Sequence, residues 1–334
     1  EGSAVRARQV EYAKDWGEVH IVILDKLKVK SEKLKVESQE TVIAPNCWAY
    51  STNSKSKYLS QFDAIRLGRF FIEKRGITHI TCQDPFLTAM AGVALKKNFP
   101  QVNLEIQIHT DIGSPKFGYS FGNKMRKFLA WNYIPKADHV RVVSNKIKQF
   151  LVEKLSIEDS KIEVRPIVVD TEKIKNTAVI EGADLHKKYP QFEKIVLVAS
   201  RLEKEKNVEL AIKAWAEVIR RVGLRTYGLI IVGAGSQSSY LLALSSRLGL
   251  NDSVIFENWI DTDTLISYYK TADLFLNTSL FEGYGMTLVE AQAADCPIVS
   301  TDVGVAREVG ARIVEWNENS VVEGVVKVLG SVSP

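Results

Sequence analysis

Only three cysteines, five histidines and three methionines are spread over the 334 residues. Cys47, Cys82 and Cys296 stand far apart and form no Cys-x-x-Cys pair. That excludes a disulfide framework and a zinc site of the usual spacing, and it suits a reducing compartment. No run of 18 apolar residues occurs, and the opening EGSAVRARQVEYAKDWGE lacks the apolar core of a signal peptide. The chain therefore reads as soluble and cytoplasmic. An excess of one charge is missing as well: 44 basic residues against 40 acidic leave +4, too little for a dedicated nucleic-acid binder. Any basic site must be local.

What is present is ordinary globular material, 46% hydrophobic and 25% charged, at a length that predicts two domains. Short β-branched runs at 19–24 (VHIVIL), 77–82 (ITHITC) and 104–108 (LEIQI) read as buried parallel strands. Between the first two, Leu59, Phe62, Ile65, Leu67, Phe70 and Ile72 recur near helical spacing and Gly76 ends the run, which makes a βαβ unit. The second half repeats the alternation with strands at 195–200, 227–232, 253–256, 273–277 and 297–300. A doubly wound parallel sheet is predicted in each half, with ligands at the carboxyl ends of the strands. The boundaries are set at 1–170, a polar linker at 171–192, and 193–334. The helix-like VRARQVEYAKDW at the start and the close on VVEGVVKVLGSVSP are expected to leave the first strand, its glycine turn and a last crossover helix missing.

The most informative segment is NTSLFEGYGMTLVEAQAADCPIVSTDVG, from Asn277 to Gly304. Gly283 and Gly285 permit a tight turn before a helix starting near Met286, whose unpaired N–H groups and dipole can hold a diphosphate. Glu282 and Glu290 both approach that helix start. Carboxylates so close to phosphate need another partner, and sugar hydroxyls are suitable donors; two solvated glutamates beside a structural turn is the plainer alternative. In VASRLEKEKNVELAIKAW, Arg201 and Lys206 follow a buried strand. Fixed cations there can neutralise a diphosphate leaving group, although a merely solvated basic loop has the same composition.

Taken together, SRLEKEKN, VGAG, FENWI, YYKTADLFLNTS, FEGYGMTLVEAQAADCPIVSTDVG and REV, from about Ile195 to Glu308, resemble the retaining family-4 glycosyltransferases of the GT-B fold. The resemblance implies an α/β protein of two doubly wound Rossmann-like domains facing a cleft. It assigns the donor sugar to Glu282, the ribose to Glu290 and the diphosphate to Arg201 and Lys206. Backbone amides come from Gly283, Tyr284, Gly285 and Met286, with Thr287 beside them, and Asn258, Trp259 and Ile260 border the nucleobase. It gives His109, directly after the strand LEIQI, the task of facing the donor sugar. The other four histidines are read as structural or surface residues.

Some motifs keep two readings. Gly233-x-Gly235 either borders the nucleotide or closes a strand-to-helix turn. As a dinucleotide fingerprint it lacks its third glycine, Ser238 standing there, and no acidic residue is expected to close the following strand near residue 255. Asp84 either touches the acceptor or caps a helix before Pro85. Cys82 completes an apolar strand and reads as core. Residues 116–154 carry nine Lys or Arg against two acidic residues, among Phe117, Tyr119, Phe121, Phe128, Trp131 and Tyr133. They form an interfacial surface on the inner face of a membrane, an acceptor surface, or an amphipathic helix with a solvated basic face.

The expected reaction is retaining hexosyl transfer from a UDP- or GDP-sugar to a glycan or lipid-linked acceptor. The nucleotide-sugar is a co-substrate, and no cofactor, metal or nucleic acid is required. Asp261-x-Asp263 is read as capping the helix that follows, not as a metal motif. The alternatives are a sugar-phosphate synthase of the same fold and a non-catalytic sugar-nucleotide-binding homologue.

Overall fold

The computed structural model describes residues 10, 11, 13, 14, 16–24, 40–52, 54, 59–222 and 226–330. They divide into two compact units. The first gathers the described residues up to Ile108 with Met125–Arg141 and Leu155–Glu163. The second comprises His109–Lys124, Val142–Lys154 and the described residues from Val164 onward.

In the first unit, β1 (Val19–Ile23) pairs parallel with β3 (Cys47–Ser51), which pairs antiparallel with β2 (Glu40–Ala44) through the Pro45-Asn46 turn. Sequence periodicity did not reveal that hairpin. Next come α1 (Ser60–Arg75), β4 (His79–Cys82), α2 (Leu87–Asn98) and β5 (Asn103–Ile108). Helix α1 stops at Gly76, whose left-handed backbone lets its N–H bond the Phe71 carbonyl. Strands β4 and β5 run parallel in the register His79 to Asn103 and Cys82 to Ile106, within a four-stranded sheet that adds β6 (His139–Val142) and β7 (Ile162–Val164). Helix α3 (Phe121–Tyr133) leads toward β6, and α4 (Asn145–Leu155) follows it.

The second unit is built on a six-stranded sheet in the order β10-β9-β8-β11-β12-β13, parallel at every pairing. Its strands are β8 (Lys194–Ala199), β9 (Tyr227–Val232), β10 (Val254–Glu257), β11 (Leu274–Asn277), β12 (Ile298–Thr301) and β13 (Arg312–Val314). All six residues of β9, YGLIIV, are buried, as a central strand covered on both faces requires. One face is covered by α7 (Val208–Val222), α8 (Ser238–Arg247) and α11 (Glu318–Leu329). On α7 the buried positions Val208, Ala211, Ile212, Trp215 and Val218 recur at helical spacing. Each of its large side chains contributes about 1.5–3 kcal/mol on burial. The other face packs α5 (Thr171–Asn176), α6 (Leu185–Lys188), α9 (Thr262–Thr271) and α10 (Met286–Ala293). Residues 171–192 thus carry two helices, and Ile174, Ala183, Leu185 and Phe192 lie in this core.

The strand order reverses between the neighbours β8 and β11, since β9 and β10 extend one way and β12 and β13 the other. A parallel sheet opens a crevice for ligands at such a switch point, beyond the carboxyl ends of the two strands. The loops there are Ser200–Asn207 and Thr278–Gly285.

Candidate active site

The loop after β11 is fixed from several sides. Asn277 Oδ1 accepts from the Ser279 hydroxyl at 2.7 Å and from its N–H at 3.3 Å. Thr301 Oγ1 and Trp316 Nε1 donate to the Ser279 carbonyl at 2.7 and 2.9 Å, and the Leu280 N–H donates to the Glu205 carbonyl at 2.8 Å. These bonds carry Glu282 to Lys206, whose Nζ lies 2.5 Å from Oε1. The Ser279 hydroxyl, whose single proton is shared with Asn277 Oδ1, lies 2.8 Å from the same oxygen. Lys206 and Glu282 are only 16% and 14% exposed, so their attraction is weakly screened. Arg201 is 61% exposed and meets Glu205 at 3.1 Å. Arg201 and Lys206 are therefore both paired with carboxylates of the same site.

The sharp turn that follows leads into α10. Gly283 has no room for a side chain, because a Cβ there would lie 1.9 Å from the His109 carbonyl oxygen. That contact brings the His109 backbone onto the turn, with His109 exposed. Gly285 is the N-cap of α10, and no side chain among the described residues caps this helix. Tyr284 and Thr287 are half-buried beside the exposed Met286. One turn on, Glu290 accepts a 3.1 Å hydrogen bond from the buried Tyr269 hydroxyl. Burial pushes the Glu290 carboxyl above its ordinary range, and the tyrosine only partly opposes it.

Beyond β9 and β10 lie the other expected nucleotide-side residues. Gly233 has φ +137°, and a Cβ there would fall 1.9 Å from the Ser200 carbonyl oxygen; one on Gly235 would fall 2.4 Å from that of Leu202. Both glycines are required for close packing of the β9 turn on the β8 loop, so the turn-closing role holds on its own. After β10, Asn258 and Trp259 are exposed, Trp259 by 58%, while Ile260 packs on the core.

One expectation here needs correction. An acidic residue does close the strand after the Gly233 turn: β10 runs one residue further than the β-branched run suggested and ends on Glu257. Its carboxylate is already engaged, accepting from Lys188 Nζ at 2.9 Å, from the Tyr268 hydroxyl at 2.7 Å and from the Tyr189 hydroxyl. Burial alone raises this carboxyl's pKa, but the three donors outweigh it and hold it below the ordinary range. The group acts as a brace between α6, α9 and the Asn258–Ile260 segment.

Asp84 lies in the first unit. Its Oδ1 accepts from the Phe86 N–H at 2.7 Å and the Thr88 N–H at 3.4 Å, the capping arrangement read as one of its two options. Asp261 caps α9 by accepting from the Thr264 N–H at 3.0 Å. Cys82 is buried with its thiol pushed up to about 12 by burial, so it stays protonated. His20 is a core residue whose ring stacks on Phe71 with centroids 4.4 Å apart and bonds Glu18 at 2.7 Å.

Sequence reasoning passed over Ser279, Tyr269, Glu257 and Phe281. Ser279 and Phe281 stand inside the segment from Asn277 to Gly304, and Tyr269 inside YYKTADLF, where adjacency to the glutamates was the available signal. Glu257 stands in FENWI directly before Asn258, but its role as a brace had no signal, since its partners are 11 to 69 residues away along the chain.

Residues 13–173 match the Glycosyltransferase Family 4 model, and residues 184–316 match Glycosyl transferases group 1. An uncharacterized glycosyltransferase of Methanocaldococcus jannaschii is 28% identical over 79% of this chain and 68% of its own length. The N-acetylgalactosamine-N,N'-diacetylbacillosaminyl-diphospho-undecaprenol 4-alpha-N-acetylgalactosaminyltransferase of Campylobacter jejuni is 31% identical over 63% of this chain. The chain spans 56% of that relative's length. Among solved structures, sucrose-phosphate synthase of Thermosynechococcus elongatus superposes with a TM-score of 0.74, covering 99% of this chain and 85% of that one at 18% identity. The last likeness is one of fold.

Proposed function

This chain belongs to the glycosyltransferases of the GT-B fold, and from that premise we propose that it moves a hexosyl unit, with retention, from a UDP- or GDP-sugar to a glycan or lipid-linked acceptor. The observation that carries this reading is the Lys206–Glu282 pair at the sheet's switch point, beside the uncapped start of α10. A diphosphate entering there meets Lys206, Arg201 and the first N–H groups of α10, which supply the positive charge its departure needs. Lys206 turns from Glu282 to phosphate, and a sugar hydroxyl takes its place as donor to the freed carboxylate. Glu290 holds the ribose, His109 the sugar, and Asn258, Trp259 and Ile260 border the base. The C1–O bond breaks with its electron pair leaving on phosphate, the acceptor oxygen bonds C1, and the acceptor's proton passes to the leaving oxygen. Fixed cations fill the charge role, so the nucleotide-sugar is the only small molecule this reading requires besides the acceptor.

Thermal melting with UDP, GDP, ADP and their glucose conjugates tests the donor site. One base family raises the melting temperature by about 5–10 °C near 100 times Kd, and Arg201→Ala and Glu290→Gln abolish the shift. No shift with any of the six sinks the reading. Glu290→Gln carries a second signature without ligand. Its raised folded-state pKa means that burial favours the protonated form; that stability is complete below the unfolded-state value and is lost as pH rises through the folded-state value. A glutamine keeps the tyrosine bond and escapes the loss. The variant therefore melts above wild type at pH 7, and the gap closes toward pH 4.

The lipid-linked acceptor belongs with α3. Phe121, Met125 and Phe128, spaced four and three apart on one side of the helix, are 81%, 46% and 61% exposed, with Lys124 and Arg126 exposed among them. Aromatic and basic residues so arranged suit the headgroup boundary of an anionic, cytoplasm-facing leaflet. Cosedimentation with phosphatidylglycerol vesicles is expected to fall about tenfold in Phe121→Ser and again in Phe128→Ser; undiminished binding in both refutes the contact.

A further inference from the structure

We propose that Phe281 is a positioning residue, which moors the loop from His109 to Tyr119 to the turn that holds the donor. The proposal rests on the donor-site reading above. The ring of Phe281 meets Phe117 edge to face at 5.2 Å and Tyr119 in a stacked arrangement at 6.1 Å between centroids. Phe117 is 2% exposed, so the first contact is a closed apolar joint. Beside it, the Ser114 hydroxyl donates to the Leu280 carbonyl at 3.1 Å. At the far end of the loop, the His109 carbonyl sits against the Cα of Gly283. The loop thus touches residues 280, 281 and 283 in succession, along the strip whose next members are the site's glutamate and helix start.

The loop keeps its own shape by a separate device. Asp111 Oδ1 accepts from the N–H groups of Gly113 and Ser114 at 3.0 and 2.9 Å, folding the residues after His109 into a compact bend. A bend that is rigid in itself and anchored through Phe117 can be displaced only as a whole. The side chain of Phe281 reaches two rings of the loop at once. It sits directly before Glu282, so one peptide links the ring that sets the position of His109 to the carboxylate assigned to the sugar. Each aromatic contact is of modest strength, about 0.5–1.5 kcal/mol, yet a shift near 1 Å at a reacting centre costs up to about a hundredfold in rate.

Besides the α10 N–H groups, the nucleotide is assigned to Arg201, Lys206 and Glu290, whose anchoring does not run through the loop from His109 to Tyr119, and this separates the role from simple donor affinity. In Phe281→Ala, hydrolysis of the glucose conjugate that stabilises wild type best is expected to slow about 10- to 100-fold. Affinity for the corresponding nucleoside diphosphate should stay within about twofold, and Phe281→Tyr should restore turnover. Hydrogen exchange of residues 109–119 should quicken in the alanine variant and return to the wild-type rate in the tyrosine variant. Should Phe281→Ala fail to fold, Phe281→Leu takes its place, with the same split expected. Unchanged hydrolysis beside intact nucleotide binding overturns the mooring alone. Equal loss of diphosphate affinity and turnover also overturns it, since that marks a collapsed site. Absence of nucleotide binding in wild type overturns the donor-site reading and this proposal together.

Discussion

Replacing Lys206 by methionine lowers donor turnover about 10²- to 10³-fold, the loss expected when one fixed charge is withdrawn from a developing anion. The stem of methionine fills nearly the same space, so the change removes charge with little disturbance of packing. The substitution has a second effect on the ligand-free protein. Glu282 is 14% exposed and, among the described residues, keeps the Ser279 hydroxyl as its one side-chain partner once Lys206 is gone. Leaving a mostly buried carboxylate half satisfied costs about 1–3 kcal/mol. Adding Glu282→Gln removes that charge, so the double variant melts close to wild type while turnover stays low. Melting temperature and turnover thus report different things: the second substitution restores the melting temperature of Lys206→Met, while turnover, which needs both groups, stays depressed. If Lys206→Met keeps near-wild-type turnover, the lysine is a structural partner of Glu282 and the diphosphate assignment fails.

Gly233→Ala is expected to cause the largest loss of stability of any single methyl addition in the second unit. At φ +137° an L-residue is strained, and the new Cβ would sit 1.9 Å from the carbonyl oxygen of Ser200. That neighbour is backbone at the end of β8 and cannot rotate away, so the β9 turn must separate from the β8 loop. The expected cost is about 3 kcal/mol or more, a fall of about 6–12 °C in melting temperature. Nucleotide binding should weaken with it, because the displaced loop carries Arg201 and Lys206. Gly182→Ala, in open space with ordinary φ, is the control and should be neutral. A Gly233→Ala protein that melts with wild type refutes the close-packing account.

The donor side was legible because its parts are consecutive in the chain. The end of a strand, a glycine turn, the start of a helix and two glutamates lie within fourteen residues, from Asn277 to Glu290, and the six-stranded sheet brings the Arg201–Lys206 loop beside them. What escaped the sequence depends on distant neighbours. Glu257 is one more glutamate until folding surrounds it with Lys188, Tyr189 and Tyr268. Residues 171–192 look like a linker because their apolar positions are sparse, yet Ile174, Leu185 and Phe192 find places in a core assembled by strands further along. The glycines of VGAG allowed two roles because φ and the facing carbonyl are properties of the fold alone. The β2–β3 hairpin escaped because CWAYS alternates too weakly to announce a strand.

The division into units also bears on how this protein can be cut and made. The chain passes between them at 108/109, 124/125, 141/142, 154/155 and 163/164. Two segments translated in the first half, carrying the buried Ile112, Phe117, Ile147 and Leu151, belong to the unit that the second half completes. A gene fragment opening at Val164 encodes the whole six-stranded sheet but omits His109, Asp111 and the rings that face Phe281. On the ribosome those early segments must wait for partners more than a hundred residues downstream, such as Leu280 and Asp302. The chain thus enters and leaves the second unit repeatedly, and an expression boundary drawn at a single linker removes segments that belong to it.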